Sequence, residues 1–235
     1  MIDIHCHILP GLDDGPKTDE EALSMCEVAA DDGVKTIVAT PHTGREVYQT
    51  SAEDVLAGVS HLNGLLGKKG IPINILPGHD VYVHPEIIEN IKKKKVLTVN
   101  DNGKYIILEL PVQSVPFYVE KVVLDLKAIG VTGIISHPER NYHIQKNTGV
   151  LEKLVSSGAL VQLTALSLTG GFGAPAQRTA VSLIHKGLAH IIASDGHSTE
   201  ERPPVLSPAV KEAAKFIGEE RALEMVNAKP REIIS

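Results

Sequence analysis

The chain has 235 residues, 43% of them hydrophobic, which fits one large α/β domain over residues 1–235 better than two small ones. It has no Trp and only 3% aromatic residues, so its core must come from Val, Ile, Leu and Ala, the residues of buried parallel strands. A formal charge of −6 argues against a broad nucleic-acid-binding surface, no apolar run approaches a membrane span, and the start lacks a leader pattern. A cytoplasmic protein beginning at Met1 is expected. Its two cysteines, in a predicted strand and a predicted helix, imply no disulfide framework.

The first stretch reads as a strand. Ile2, Ile4 and Cys6 alternate with Asp3, His5 and His7, which sends His5 and His7 to one face and Cys6 behind it. Two neighbouring imidazoles on a strand make half of a metal site, although such a pair also fills polar pockets. Thr18-Asp19-Glu20-Glu21 is a capping-box start for a helix near 18–32. The strand Thr36 to Thr40 then delivers Pro41-His42. A second helix near 51–68 precedes the strand Ile73 to Gly78, which leads to His79-Asp80.

A short helix near 84–94 ends in Lys92 to Lys95, a run that reads as complementing the helix dipole rather than as an anion site. The strand Tyr105 to Leu108 delivers Glu109, and residues 116–129 are helical by spacing. The strand Gly133 to Ser136 delivers His137-Pro138-Glu139-Arg140. A helix near 148–157, the strand Leu160 to Leu163, the turn Gly170 to Gly173 and a helix near 175–187 follow. Ala189 to Ala193 then delivers Ser194-Asp195-Gly196-His197, and helices near 207–217 and 219–227 close the chain.

Seven strand–helix units with near-continuous apolar strands mean a parallel sheet, closed or open. Both architectures place their sites just after the strands. The candidate residues follow nearly every strand, which favours a barrel. They are His5, His7, Asp14, His42, Asp80, Glu109, His137, Asp195 and His197. Nitrogen and oxygen donors suit manganese, iron, zinc or magnesium, and nine of them exceed what one ion needs, so two or three ions are expected. Such a site is net cationic even before Arg140 and Arg202 are counted. It attracts phosphate, and water on the metals becomes a hydroxide near neutral pH. Metal-assisted phosphoester hydrolysis is the expected chemistry.

These motifs come in a characteristic order: H-C-H-I-L-P-G-L-D-D-G from His5, A-T-P-H ending at His42, and L-P-G-x-D ending at Asp80. L-E-L-P around Glu109, S-H-P-E-R-N from Ser136 and S-D-G-H from Ser194 complete it. Over residues 1–202 the chain resembles the polymerase and histidinol phosphatase (PHP) superfamily. More narrowly it is similar to the bacterial metal-dependent protein-tyrosine phosphatases encoded with capsule and exopolysaccharide machinery. The resemblance implies a distorted (β/α)₇ barrel, with the metal site at the C-terminal ends of the strands and three metals, manganese favoured. It implies that His5, His7 and Asp195 hold one ion and that Asp80 bridges it to a second, completed by Glu109 and His137. Asp14, His42 and His197 would hold the third, and Arg140 and Arg202 would grip phosphate. The implied substrate is phosphotyrosine on a bacterial tyrosine kinase that controls polysaccharide export. The family usually carries glutamate at the bridging position, so the shorter Asp80 implies weaker occupancy of the second metal.

Other readings stand beside these. Neither Cys6 nor Cys26 begins the C-x₅-R of cysteine-dependent tyrosine phosphatases. Asp13 is an alternative ligand to Asp14. Gly171-Phe172-Gly173 lacks a full dinucleotide fingerprint and is taken as a helix start lining the pocket. His79 is expected to face away from the site, and His61, His84, His143, His185 and His190 to serve surface or core roles. Loops near 44–52 and 112–118 are expected to frame the mouth, with Tyr48, Val112 and Phe117 available to a peptide. The alternatives are a small-molecule phosphatase of the histidinol-phosphate type and a non-catalytic metal-binding barrel.

Overall fold

Nine parallel strands occupy seven positions around a barrel. In the computed structural model, which describes residues 1–235, they are β1 (Ile2–Cys6), β2 (Thr36–Ala39), β3 (His42–Thr43), β4 (Asn74–Pro77) and β5 (Asp80–Tyr82). β6 (Tyr105–Glu109), β7 (Thr132–Ser136), β8 (Leu160–Thr164) and β9 (Ile191–Ala193) follow. One sheet has the order β1-β2-β4 and the other β3-β5-β6-β7-β8-β9. β2 and β3 are two halves of one strand position, parted at Thr40-Pro41, where proline offers no N–H to a ladder. β4 and β5 are parted in the same way at Gly78-His79. A Cβ on Gly78 would lie 2.9 Å from Val38 Cγ1, so only glycine lets the two halves nest this closely.

These breaks are the distortion the resemblance implied. Beside β4 the lower wall is filled by the 3₁₀ turn Val99–Asp101 and the C-terminal helix Ala228–Ile234, a helix that sequence periodicity does not reveal. Val99 and Ile233 join Ile2, Ile4, Val38, Ile107, Ile134, Ile191 and Ala193 in an apolar plug inside the barrel. Asn100 and Asn102 side chains donate to the Ile234 and Ile233 carbonyls and fix that helix in place. The larger core lies outside the strands, beneath the surrounding helices.

Strand β1 departs from simple alternation. Its register to β2 runs Asp3 to Ile37 and then Cys6 to Ala39, a bulge of one extra residue. Ile4 and His5 therefore both face the interior. Asp3 points outward with Ser194, whose N–H and hydroxyl donate to its carboxylate. The expected grouping of Asp3 with His5 and His7 is thus corrected, while Cys6 packs in the outer core as anticipated.

His79 is 1% exposed and turned from the barrel centre, where its Nδ1 accepts the Leu97 N–H at 2.9 Å. Burial holds its pKa down to about 4. The folded state therefore binds fewer protons than the unfolded chain between pH 6.5 and about 4, so this stabilisation is full above pH 6.5 and is lost as pH falls. In urea titrations across that window, wild type is expected to lose about 3 kcal/mol relative to His79→Gln. Parallel curves for the two proteins would contradict this.

Candidate metal centre

The barrel closes where its chemistry sits. The Asp195 N–H donates to the His5 carbonyl and the His7 N–H to the Gly196 carbonyl, both at 2.8 Å, so the first and last strand positions are joined at their C-terminal ends. The bulge has turned His5 inward by this point, and Cys6 and His7 alternate normally after it. His5 Nδ1 meets Gln162 Oε1 at 2.9 Å, which leaves His5 Nε2 only 3.2 Å from His7 Nε2. His7 Nδ1 in turn meets Asp13 Oδ2 at 2.5 Å. Carboxylate and amide partners of this kind orient metal-ligating imidazoles.

Asp13 resolves the Asp13/Asp14 ambiguity in position. Its carboxylate also accepts the His42 and Gly15 N–H groups, at 3.0 and 2.9 Å, so it holds the loop. Asp14 instead reaches the cluster of His7, His42 and His197, with its Oδ1 3.6 Å from His42 Nε2 and 3.4 Å from His197 Nε2. Asp80 is fully buried. Its Oδ2 lies 3.2 Å from His42 Nδ1 and 3.8 Å from His5 Nε2, and its Oδ1 accepts from Ser136 Oγ.

Three groups of side chains have donor atoms within 4.8 Å of one another: His7, Asp14, His42 and His197; His5, His7 and Asp80; and His42, Asp80 and Glu109. Asp80 belongs to two of them. Asp195 Oδ1 lies 3.5 Å from both His5 and His7, and His137 Nε2 lies 3.8 Å from Glu109. All nine expected residues therefore meet at one end of the barrel. Both His137 and Asp195 have positive φ, 37° and 53°, which turns each side chain inward just past its strand. Three buried atoms of the cluster, His42 Nδ1, Asp80 Oδ2 and His197 Nε2, lack a hydrogen-bond partner. Leaving such atoms unpaired is costly, and cations held within these groups would satisfy them, so the donor set fits metal ions.

The charges are matched on the other side by arginines. Arg140 and Arg202 each place Nη2 2.7 Å from the same oxygen, Asp195 Oδ2. Burial raises the Asp195 pKa, but Arg140 and His5 outweigh it and hold the carboxyl well below its usual range. Burial also works against charge on Asp80, and His5 and His42 overcome it. At Glu109, burial and then Asp80 push the carboxyl up, opposed by Arg45. Burial lowers the pKa of His5, His137 and His197, which favours the neutral imidazole that ligates metal.

Arg45 was missed by the sequence reading. It forms a two-pronged ion pair with Glu109, with Nε 2.8 Å from Oε2. A cation three residues after His42, beyond the end of a split strand, was the available signal. Arg45, Arg140 and Arg202 line one cavity of about 240 Å³ together with His42, Glu109 and His137. Val112 lines it as expected, Tyr48 lies over His42 with ring centroids 5.7 Å apart, and Phe117 stands 98% exposed beyond. The turn Gly171 to Gly173 does not line this cavity, contrary to expectation.

Fold and site together define a TIM-barrel-like protein with a candidate metal centre at the C-terminal ends of its strands. The sequence model of the family described as Capsular polysaccharide synthesis, CpsB/CapC, matches residues 1–235, and the chain belongs to that family. The tyrosine-protein phosphatase YwqE of Bacillus subtilis (strain 168) is 39% identical over 202 residues, covering 86% of this chain and 79% of YwqE. A crystal structure from the set of YwqE of Bacillus subtilis and CpsB of Streptococcus pneumoniae, metal-dependent tyrosine phosphatases, matches with a TM-score of 0.96. It does so at 35% identity, covering 100% of this chain and 94% of that one. The histidinol phosphate phosphatase of Lactococcus lactis subsp. lactis shares the fold alone, with a TM-score of 0.55 at 12% identity, covering 94% and 93% of the two chains.

Gly15 tests the loop that carries Asp13 and Asp14. A Cβ there would fall 2.3 Å from the His7 carbonyl oxygen, a backbone atom that cannot give way. Gly15→Ala is expected to weaken metal binding at least tenfold in a titration while keeping native circular dichroism. Gly64→Ala, in the helix Ala52–Lys69 with open space around it, is the control and should raise stability by about 0.5–1 kcal/mol. Equal metal affinity in the two variants would remove the loop from the site.

Proposed function

We propose that this chain is a metal-dependent protein-tyrosine phosphatase of the cytoplasm. Its substrate is phosphotyrosine on a bacterial tyrosine kinase that governs capsule or exopolysaccharide synthesis. Residues 1–235 act as one domain. The observation that carries this reading is the convergence of nine histidine and carboxylate side chains, three of them with unpaired buried atoms, on a cavity lined by three arginines. Membership of a family with tyrosine-phosphatase relatives supports the substrate class. No helix is long and apolar enough to cross a membrane.

His5, His7 and Asp195 would hold one ion, Glu109 and His137 a second with Asp80 bridging, and Asp14, His42 and His197 a third. Manganese is favoured, and iron, zinc or magnesium suit the same donors. When bound, such ions supply Lewis acidity toward phosphate oxygens and lower the pKa of water. The chain contributes the rest. Arg140 and Arg202 face the cavity and offer forked N–H donors to the phosphoryl oxygens, charge that matters most as the transition state develops. Gln162 and Asp13 fix the tautomers of His5 and His7, so their Nε2 lone pairs stay directed into the site. Buried walls exclude bulk water and strengthen these interactions.

Phosphate release by manganese-reconstituted protein tests this directly. A phosphotyrosine peptide should turn over faster than histidinol phosphate, and Arg140→Ala and His42→Ala should each lower kcat/KM about a hundredfold or more. Preference for histidinol phosphate would move the function to a small-molecule phosphatase. A metal content near zero after reconstitution would leave a non-catalytic barrel. Asp80→Glu addresses the bridge: its longer arm should raise occupancy of the second metal at limiting manganese. Identical metal counts in wild type and variant across the titration would refute the weaker occupancy ascribed to the shorter Asp80.

A further inference from the structure

The turn Gly170 to Gly173 has no part in the cavity wall, yet its one side chain meets both arginines. Arg140 Cζ lies 4.6 Å and Arg202 Cζ 5.7 Å from the centroid of the Phe172 ring. Both guanidinium groups also reach the single oxygen Asp195 Oδ2. Two like charges drawn to one atom repel each other, and an exposed arginine pays side-chain entropy to stay in one rotamer. An aromatic face within about 6 Å attracts a guanidinium through its quadrupole, and here one ring serves two of them. Arg202 Nε is buried with no hydrogen-bond partner, so that guanidinium is held by its Asp195 contact and by packing.

The backbone is built to hold this ring. Gly170 and Gly173 have φ of +91° and +83°, conformations that side chains rarely adopt. At Gly171 a Cβ would lie 2.4 Å from Leu166 Cγ, so the turn sits close against the preceding helix Ala165–Leu168. The Gly171 N–H donates to the Leu166 carbonyl and the Gly173 N–H to the Gly170 carbonyl, each at 2.9 Å. The helix Gly173–His185 that follows packs on the Pro138–Arg140 turn, so Phe172 and Arg140 are carried by elements in contact.

We infer that Phe172 is a positioning residue that holds Arg140 and Arg202 side by side, preorganised to receive the phosphoryl group. This rests on the proposed role of the two arginines. Through the ring, the arginines keep their placement when a phosphate competes with Asp195 for their N–H donors. The ring acts through the two arginines, so its loss should weaken capture of phosphate and leave the metal centre intact.

The test uses Phe172→Leu, which keeps apolar bulk without a π face, and Phe172→Tyr, which keeps the face, in the manganese-loaded full-length chain. Readouts are KM and kcat on a phosphotyrosine peptide, competitive inhibition by inorganic phosphate, metal content and thermal midpoint. Phe172→Leu should raise KM and the phosphate inhibition constant roughly five- to tenfold with unchanged metal content, and Phe172→Tyr should restore both. Combined with Arg140→Ala and Arg202→Ala, Phe172→Leu should add no further loss. Wild-type values for Phe172→Leu, equal defects in Leu and Tyr, or full additivity with the arginine variants would each overturn the inference. If the arginine variants bind phosphate normally, the reading of the arginines fails, and the inference falls with it. If they are impaired while Phe172→Leu is normal, the inference alone fails.

Discussion

Two backbone hydrogen bonds, from Asp195 to His5 and from His7 to Gly196, join the start of the chain to a segment almost two hundred residues later. Everything chemical in the molecule depends on that seam. It brings His5 and His7 beside Asp195 and His197, groups that no local element could assemble. The bulge in β1 makes the seam productive, because without the extra residue His5 would follow Asp3 to the outer face. On that outer face Asp3 and Ser194 tie the same two segments from behind, and burial pushes the Asp3 carboxyl up to about 6. The seam is thus fastened on both sides of the sheet.

Around the seam the charges are balanced rather than simply accumulated. Asp195 takes two guanidinium groups on one oxygen and has three imidazoles near the other. Glu109 faces Arg45, and Asp13 faces His7. A buried charge without a partner costs several kcal/mol, so each carboxylate here has a cation or imidazole within reach. The cavity thus sets three arginines against Asp14, Glu109 and Asp195, and bound metal ions would turn this mouth cationic in a chain of net charge −6, the polarity a phosphorylated substrate needs.

Much of this was legible in the sequence, because the signals were local. Apolar strands alternating with amphipathic helices gave the barrel, and polar residues just beyond strand ends marked the nine members of the cluster. What escaped depended on contacts distant in sequence or on backbone irregularity. The bulge at Ile4-His5 breaks the period-two rule, so alternation assigned Asp3 to the wrong face. Asp13 and Asp14 differ only in how a loop turns, which hydrogen bonds to His42 and Gly15 decide. Arg45 and Gln162 gain meaning only from partners more than sixty residues away. The helix Ala228–Ile234 is short, and its buried face, with Pro230 and Ile233, is set by the barrel floor rather than by periodicity.

That floor separates what holds the barrel from what the barrel carries. Ile233 completes the plug inside the barrel, packed with residues drawn from β1, β2, β6, β7 and β9. The candidate site at the other end, by contrast, draws no residue from beyond Arg202. Removing the helix Ala228–Ile234 would thus open the floor of the barrel while every side chain of the candidate site stayed in the chain.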